Sequence, residues 1–230
     1  GGPDVNPIES VVSGRAQIGL TGAKRLLKAR AAGQPVRAVA AVFQRSPVVF
    51  MSDAEKHLGD PRRFAGRTIR VTPDMVPVLQ AVMSRVGVAE GDYETVSLPS
   101  DPGLFDTGVA DIWAGHITGL ALRLSQMGHR LSYVFPSDYG VQDYGGVIFT
   151  TEEYLARKEA AVADFVAASL AGFQIIIENA DMAGPLVQLR KPGADVAFQS
   201  ARMAASVPLI HTFANRLGGM TLEKWRSILS

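Results

Sequence analysis

The 230-residue chain is long enough for one large domain or two small ones, and at 47% hydrophobic and 20% charged residues it can bury a sizeable core. Its 23 Lys and Arg balance 22 Asp and Glu, and a net charge of +1 offers no basic surface to a nucleic-acid backbone or an anionic membrane, so neither is expected as a partner. The absence of cysteine excludes disulfides, thiolate metal sites and cysteine nucleophiles, and it suits an exported protein.

The chain opens on Gly1-Gly2-Pro3-Asp4 and shows no signal peptide, as expected of a processed exported chain. A short helix is predicted over 6–13, capped by Asp4 or Asn6 and stopped by Gly14. A strand over 15–20 turns at Thr21-Gly22 into a helix over 23–32, with Leu26, Leu27 and Ala31 facing inward. Apolar runs over 36–43 and 47–51 suit strands covered on both faces. Then come a strand over 67–71, a helix over 75–86 stopped by Gly87, a strand over 93–98, and a strand containing Ile112 and Trp113. A helix over 117–127 is stopped by Gly128, and strands follow over 131–135 and 147–150. The rest is helical: 152–179 with a break near Lys158, then 183–189, 196–204 and 222–229. No stretch is long and apolar enough to span a bilayer; the richest, 160–177, carries Asp164 and Gln174 and is expected to be a buried helix. Alternation of strands and helices predicts an α/β fold with mainly parallel sheets flanked by helices.

A weak repeat refines this. Ser13-Gly14-Arg15-Ala16-Gln17-Ile18 matches Thr107-Gly108-Val109-Ala110-Asp111-Ile112, each opening a strand that meets a small-residue turn, at Thr21-Gly22 and at Ala114-Gly115. Ser46-Pro47-Val48-Val49-Phe50-Met51-Ser52 matches Gly145-Gly146-Val147-Ile148-Phe149-Thr150-Thr151 in the same way. Either the phrase is a common turn-to-strand pattern, or the chain makes two similar lobes with the apolar strands as crossings. On the second reading lobe one is 1–48 plus 148–230, lobe two is 49–147, and a ligand is expected in the cleft, beyond strand carboxyl ends and near helix N-termini.

A family resemblance is carried by these motifs together with Val39-Ala40-Ala41-Val42-Phe43-Gln44-Arg45-Ser46-Pro47, Ala110-Asp111-Ile112-Trp113-Ala114-Gly115 and Pro136-Ser137-Asp138-Tyr139-Gly140-Val141 through Tyr144-Gly145-Gly146. Over nearly its whole length the chain resembles the substrate-binding proteins of ABC importers for thiamine-pyrimidine precursors, alkanesulfonates and related compounds. The resemblance implies a type II periplasmic-binding-protein fold, two lobes on a hinge, and capture of a small ligand for membrane permease subunits. Some members instead serve as extracellular sensor domains. Two departures stand out. The family carries one or two strands and a helix before the Gly1-Gly2-Pro3 segment, so a fragment with an incomplete first lobe, shortened also after Trp225, is expected. Thr118-Gly119-Leu120 stands where pyrimidine binders carry an Asn-Glu-Pro-like stretch, which removes one acidic partner for an aminopyrimidine.

Candidate ligand residues lie at predicted strand ends. Trp113 either stacks on a flat ligand or closes a core layer, and His116 either donates to a ligand or is structural. Thr21 and Gly22 offer a hydroxyl and a backbone amide at a helix start, for a ligand oxygen or for capping alone; Asp4 leads into another such start. Gln44 ends a strand. Asp138, Tyr139, Asp143 and Tyr144 cluster before the second crossing, as a polar loop or as one wall of a cage for a cationic or aromatic ligand.

Catalytic patterns are absent. There is no Gly-x-Ser-x-Gly elbow and no phosphate loop, and His57, His116, His129 and His211 form no i, i+4 metal pair. Asp53 with Glu55, and Glu152 with Glu153, suit helix N-terminal charge. The expectation is therefore a monomeric, periplasmic or extracellular binding protein without cofactor or metal, lipid-anchored in one form of the full-length chain. A sensor domain is the alternative, and a pyrimidine-biosynthetic enzyme a third.

Overall fold

A computed structural model of the chain describes residues 5–210, 212 and 216–229. Its strands are β1 (Ile18–Thr21), β2 (Val36–Phe43), β3 (Val48–Asp53), β4 (Thr68–Arg70), β5 (Glu94–Val96), β6 (Ile112–His116), β7 (Leu131–Val134) and β8 (Gly146–Thr151). Its α-helices are α1 (Pro7–Val12), α2 (Ala23–Ala31), α3 (Val76–Arg85), α4 (Leu122–Gln126), α5 (Glu152–Arg157), α6 (Glu159–Glu178), α7 (Ala183–Arg190), α8 (Val196–Ile210) and α9 (Leu222–Leu229). They form two compact units, one of Gly1–Ser46 with Gln142–Ser230 and the other of Pro47–Val141.

In the discontinuous unit, β8 is the centre of a three-stranded sheet between β1 and β2. Its side chains alternate with the strand period. Val147 and Phe149 enter a core with Ile8, Val11, Ala23, Leu26 and Ile228, while Ile148 enters a second core with Ala40, Val42 and Ile210. Gly19 of β1 is forced by this packing: a Cβ there would sit 2.6 Å from the Phe149 ring and 3.0 Å from Val11. Asn6 caps α1 through its side-chain oxygen, and Gly14 ends it at φ +77°, the left-handed region glycine enters without strain.

The continuous unit has a five-stranded sheet in the order β5-β4-β6-β3-β7. Val48 and Phe50 of β3 join Ile69, Leu79, Val82 and Ile112 on one face. Val49 and Met51 join Phe105, Trp113, Leu120 and Leu124 on the other. Both faces are thus covered, as the unbroken apolar runs predict.

The α/β class stands, with corrections. In the discontinuous unit the strand pairings among the described residues are antiparallel. In the other, β4 is parallel to β5 and β6, but β3 is antiparallel to β6 and β7. An apolar run carries no direction, so the mainly parallel order was not readable from it. The strands expected to cross between lobes, β3 and β8, lie inside their own sheets, and the chain changes unit after Ser46 and after Val141. The expected helix over 117–127 is a wide π turn at Ile117–Ala121 followed by α4. Ala31, expected inside, is exposed. The largest correction concerns α6. It is 20 residues long and by length and composition could cross a membrane, yet only Val162 on it is buried. Val166, Phe173 and Ile177 continue its inward stripe, while Phe165 and Ile175 are exposed. High apolar content alone did not distinguish a helix buried all round from one resting on a single stripe.

Candidate functional site

A polar cluster of the discontinuous unit gathers where β2 ends and β8 begins. Phe43 pairs with Gly146 in the ladder, and Gly145 N donates to the Phe43 carbonyl at 3.1 Å, so Gln44 follows one strand beside the residues that precede the other. Gln44 is fully buried; its amide nitrogen donates to the carbonyl oxygens of Ala41 and Gly219, each at 2.9 Å, and its buried Oε1 has no partner among the described residues. Lys224 of α9 donates from Nζ to the Gln44 carbonyl oxygen and lies 4.5 Å from the centroid of the Tyr144 ring, a cation–π contact. Burial holds its ammonium below the usual lysine range, against the opposing pull of Asp143.

Tyr144 is fully buried in the core, its hydroxyl oxygen accepting from Thr221 N at 3.0 Å and its ring 5.4 Å from Trp225. Asp143 is partly buried. Burial pushes its carboxyl up to about 6, opposed by Lys24, Tyr144 N–H and Lys224. Its Oδ1 has no partner among the described residues. Thr21 is buried at the end of β1, and Gly22, with extended backbone at ψ 150°, precedes α2. The first amides of α2 are already taken by this chain: Ala23 N donates to the Tyr144 carbonyl at 3.0 Å and Lys24 N turns to the Asp143 carboxyl. The expected anion seat at Gly22 is therefore held by an internal acceptor.

In the continuous unit, Trp113 lies early in β6 and is fully buried against Phe105, 5.9 Å between centroids. Its indole is core and offers no free stacking face, because Ala114 and Gly115 continue the strand and form no turn. The Arg70 guanidinium lies 5.6 Å above it. Arg70 is 1% exposed, and burial holds its pKa below the ordinary arginine value. Its Nε donates to the Leu98 carbonyl at 2.8 Å, one terminal nitrogen to the Ala114 carbonyl at 2.9 Å, and the other to Leu98 O and to Ser100 Oγ at 2.9 Å. His116 is exposed at the end of β6, paired with Val48. Asp138 is exposed, and Tyr139 packs partly against the core, its phenol raised above the ordinary tyrosine value by burial.

The expected wall from Asp138 to Tyr144 is thus divided, with Asp138 and Tyr139 in one unit and Asp143 and Tyr144 in the other. Asp4 lies outside the described residues. The sequence drew no attention to Lys224 or Arg70. The one available signal for Lys224 was Thr221, whose hydroxyl oxygen caps Lys224 N at 3.2 Å and fixes the start of α9. A groove of about 840 Å³ between α1 and α2 is lined by Val5, Asn6, Glu9, Arg25 and Gln34 and by none of the described candidates.

Comparison with known proteins adds three findings. A family model described as NMT1/THI5 like matches residues 1–183. The chain is 30% identical, over 98% of its own length and 71% of the relative's, to the formylaminopyrimidine-binding protein of Halalkalibacterium halodurans. Among solved structures, the periplasmic aliphatic sulphonate binding protein SsuA from Escherichia coli superposes with a TM-score of 0.73 at 14% identity, over 86% of this chain and 69% of that one. The desulfurization enzyme DSZB superposes with a TM-score of 0.61 at 14% identity, over 99% and 79% of the two chains, so the fold also serves chemistry.

Proposed function

The chain belongs to the NMT1/THI5-like family, and from that premise we propose that it is the ligand-capturing component of an ABC importer for a small polar or aromatic compound. The observation that carries this is the match to a binding protein over 98% of the chain. The cluster of Thr21, Gln44, Asp143 and Lys224 supports it, since a buried acceptor without a partner is what a ligand donor would satisfy. The protein works on the periplasmic or extracellular side of the membrane, as a monomer, and passes its ligand to permease subunits. It turns nothing over.

The test is a thermal-shift screen of pyrimidines, sulfonates and small nitrogenous compounds. A ligand at about a hundred times its Kd stabilises by ~2.7 kcal/mol, a rise of several degrees for a chain of this size. No rise with any compound overturns the reading. Chemical conversion of a bound compound would move the protein to the enzymatic branch of the fold.

A further inference from the structure

The chain leaves the discontinuous unit after Ser46 and re-enters it at Gln142. One stretch, residues 218–225, holds the backbone beside both points. On the outgoing side, Ala41 N donates to the Gly218 carbonyl at 3.1 Å, the Gln44 side-chain amide to the Gly219 carbonyl at 2.9 Å, and Lys224 Nζ to the Gln44 carbonyl. On the returning side, Thr221 N donates to the Tyr144 hydroxyl at 3.0 Å, the Trp225 ring lies 5.4 Å from the Tyr144 ring, and the Lys224 ammonium lies 4.5 Å from the centre of that same ring. Lys224 thus touches both sides with one side chain. Burial works against its charge, and the Gln44 carbonyl dipole, the Tyr144 face and the Asp143 carboxylate offset that cost. The first turn of α9 sets its place, because the Thr221 hydroxyl oxygen accepts from Lys224 N at 3.2 Å.

The helix that carries this lysine is lightly anchored. Of the described residues of α9 only Ile228 is buried, Trp225 packs partly against the core, and Leu222 and Leu229 are 66% and 69% exposed. A short helix with so little apolar burial opens locally at a free energy well below that of the whole chain. We propose that residues 218–225 are a releasable strap, and that Lys224 makes the two passages between the units tighten or loosen as one. With α9 seated, Gln44 and Tyr144 share a partner and the backbone on both sides is held. With α9 lifted, both lose that partner in one event and both passages gain freedom together.

The experiment is hydrogen–deuterium exchange of the whole chain at neutral pH, read amide by amide by NMR. The reporting amides are Arg45 N, bonded to the Leu209 carbonyl at 3.0 Å, and Gly145 N, bonded to the Phe43 carbonyl at 3.1 Å. Lys224→Met keeps an unbranched side chain and removes the charge and the donor. Exchange is expected to rise about tenfold at both amides, with β6 and α3 unchanged. Lys224→Arg restores the donor and the ring contact and is expected to stay within about threefold of the parent. Tyr144→Phe removes only the acceptor of Thr221 N on the returning side, yet the Arg45 amide on the outgoing side is expected to exchange about threefold faster. A rise at one reporting amide only, no rise at either, or a uniform rise that includes β6 and α3 overturns the proposal, as does a Lys224→Arg variant as fast as Lys224→Met. If Lys224→Met does not fold, Tyr144→Phe decides: a faster Arg45 amide supports the strap and an unchanged one overturns it. No ligand enters the measurement, so the strap and the receptor reading stand or fall separately.

Discussion

The Arg70 guanidinium lies over the Trp113 indole, 5.6 Å from the ring centroid to Cζ, with both side chains sealed from solvent. The arginine ties the chain after β5 to β6 through Leu98 O, Ala114 O and Ser100, and Asp74 acts on it only through space. Its charge is carried by carbonyl dipoles. Removing it strands those oxygens in the interior. Arg70→Ala is expected to destabilise the chain by about 3–5 kcal/mol, and Arg70→Lys by about 2, because one ammonium cannot reproduce the fork. Urea denaturation measures both; a loss under about 1 kcal/mol for Arg70→Ala would show the network to be dispensable.

Trp113 itself is expected to act through volume. Its buried Nε1 has no partner among the described residues, so Trp113→Phe forfeits no hydrogen bond seen there. The phenylalanine variant should lose about 1–2 kcal/mol and the alanine variant about 3–5. A ligand that perturbs tryptophan fluorescence should do so through Trp225, which touches Tyr144, and the response should survive Trp113→Phe.

Two glycines in helices predict opposite outcomes. A Cβ on Gly184 of α7 would collide with the Val196 carbonyl and stand 2.7 Å from Ser200 Oγ, so α7 and α8 would be forced apart. Gly184→Ala should cost about 1–3 kcal/mol. A Cβ on Gly172 of α6 meets nothing within 4 Å. Gly172→Ala should therefore raise stability by about 0.5–1 kcal/mol through helix propensity. Thermal unfolding of the pair settles both signs.

Stability should also depend on Asp143. Its folded pKa of about 6 stands above the ordinary 3.8, so the folded state binds the proton more tightly. The contribution is favourable below the unfolded value and is lost as pH rises through the folded one. The difference is of order 3 kcal/mol between about pH 4 and about pH 7. Asp143→Asn is expected to flatten that window and to be more stable than the parent at neutral pH. Chemical denaturation across the window tests it; an unchanged slope refutes it.

What was legible in the sequence was local. Gly14, Gly87 and Gly128 end helical segments at φ of +77°, +75° and +98°, which is why the stops could be read from residue type alone. The break at Lys158 and the span of β2 follow from local pattern in the same way. The matched phrases around Gly14 and Gly108 keep their meaning, since both glycines have positive φ and both following isoleucines open strands. The parallel failed at Gly115, where a Cβ would lie 2.9 Å from Met51, so this glycine serves close packing inside a strand and no turn. The roles of Arg70 and Lys224 were beyond local reading, because their partners lie 28 and 180 residues away along the chain.

The central position of β8 has a consequence for how the protein is made. β1 and β2 have no hydrogen bonds to each other and meet only through β8, whose partners lie more than a hundred residues earlier, as Thr150 to Gln17 illustrates at a separation of 133. The segment Pro47–Val141 can close its own sheet as soon as it leaves the ribosome. Strands β1 and β2 are made before β8 and gain their pairings to it only when it arrives. Of the two described sheets, the five-stranded one therefore closes before the three-stranded one, and the longer wait, with its exposure to aggregation or to a chaperone, falls on residues 18–43.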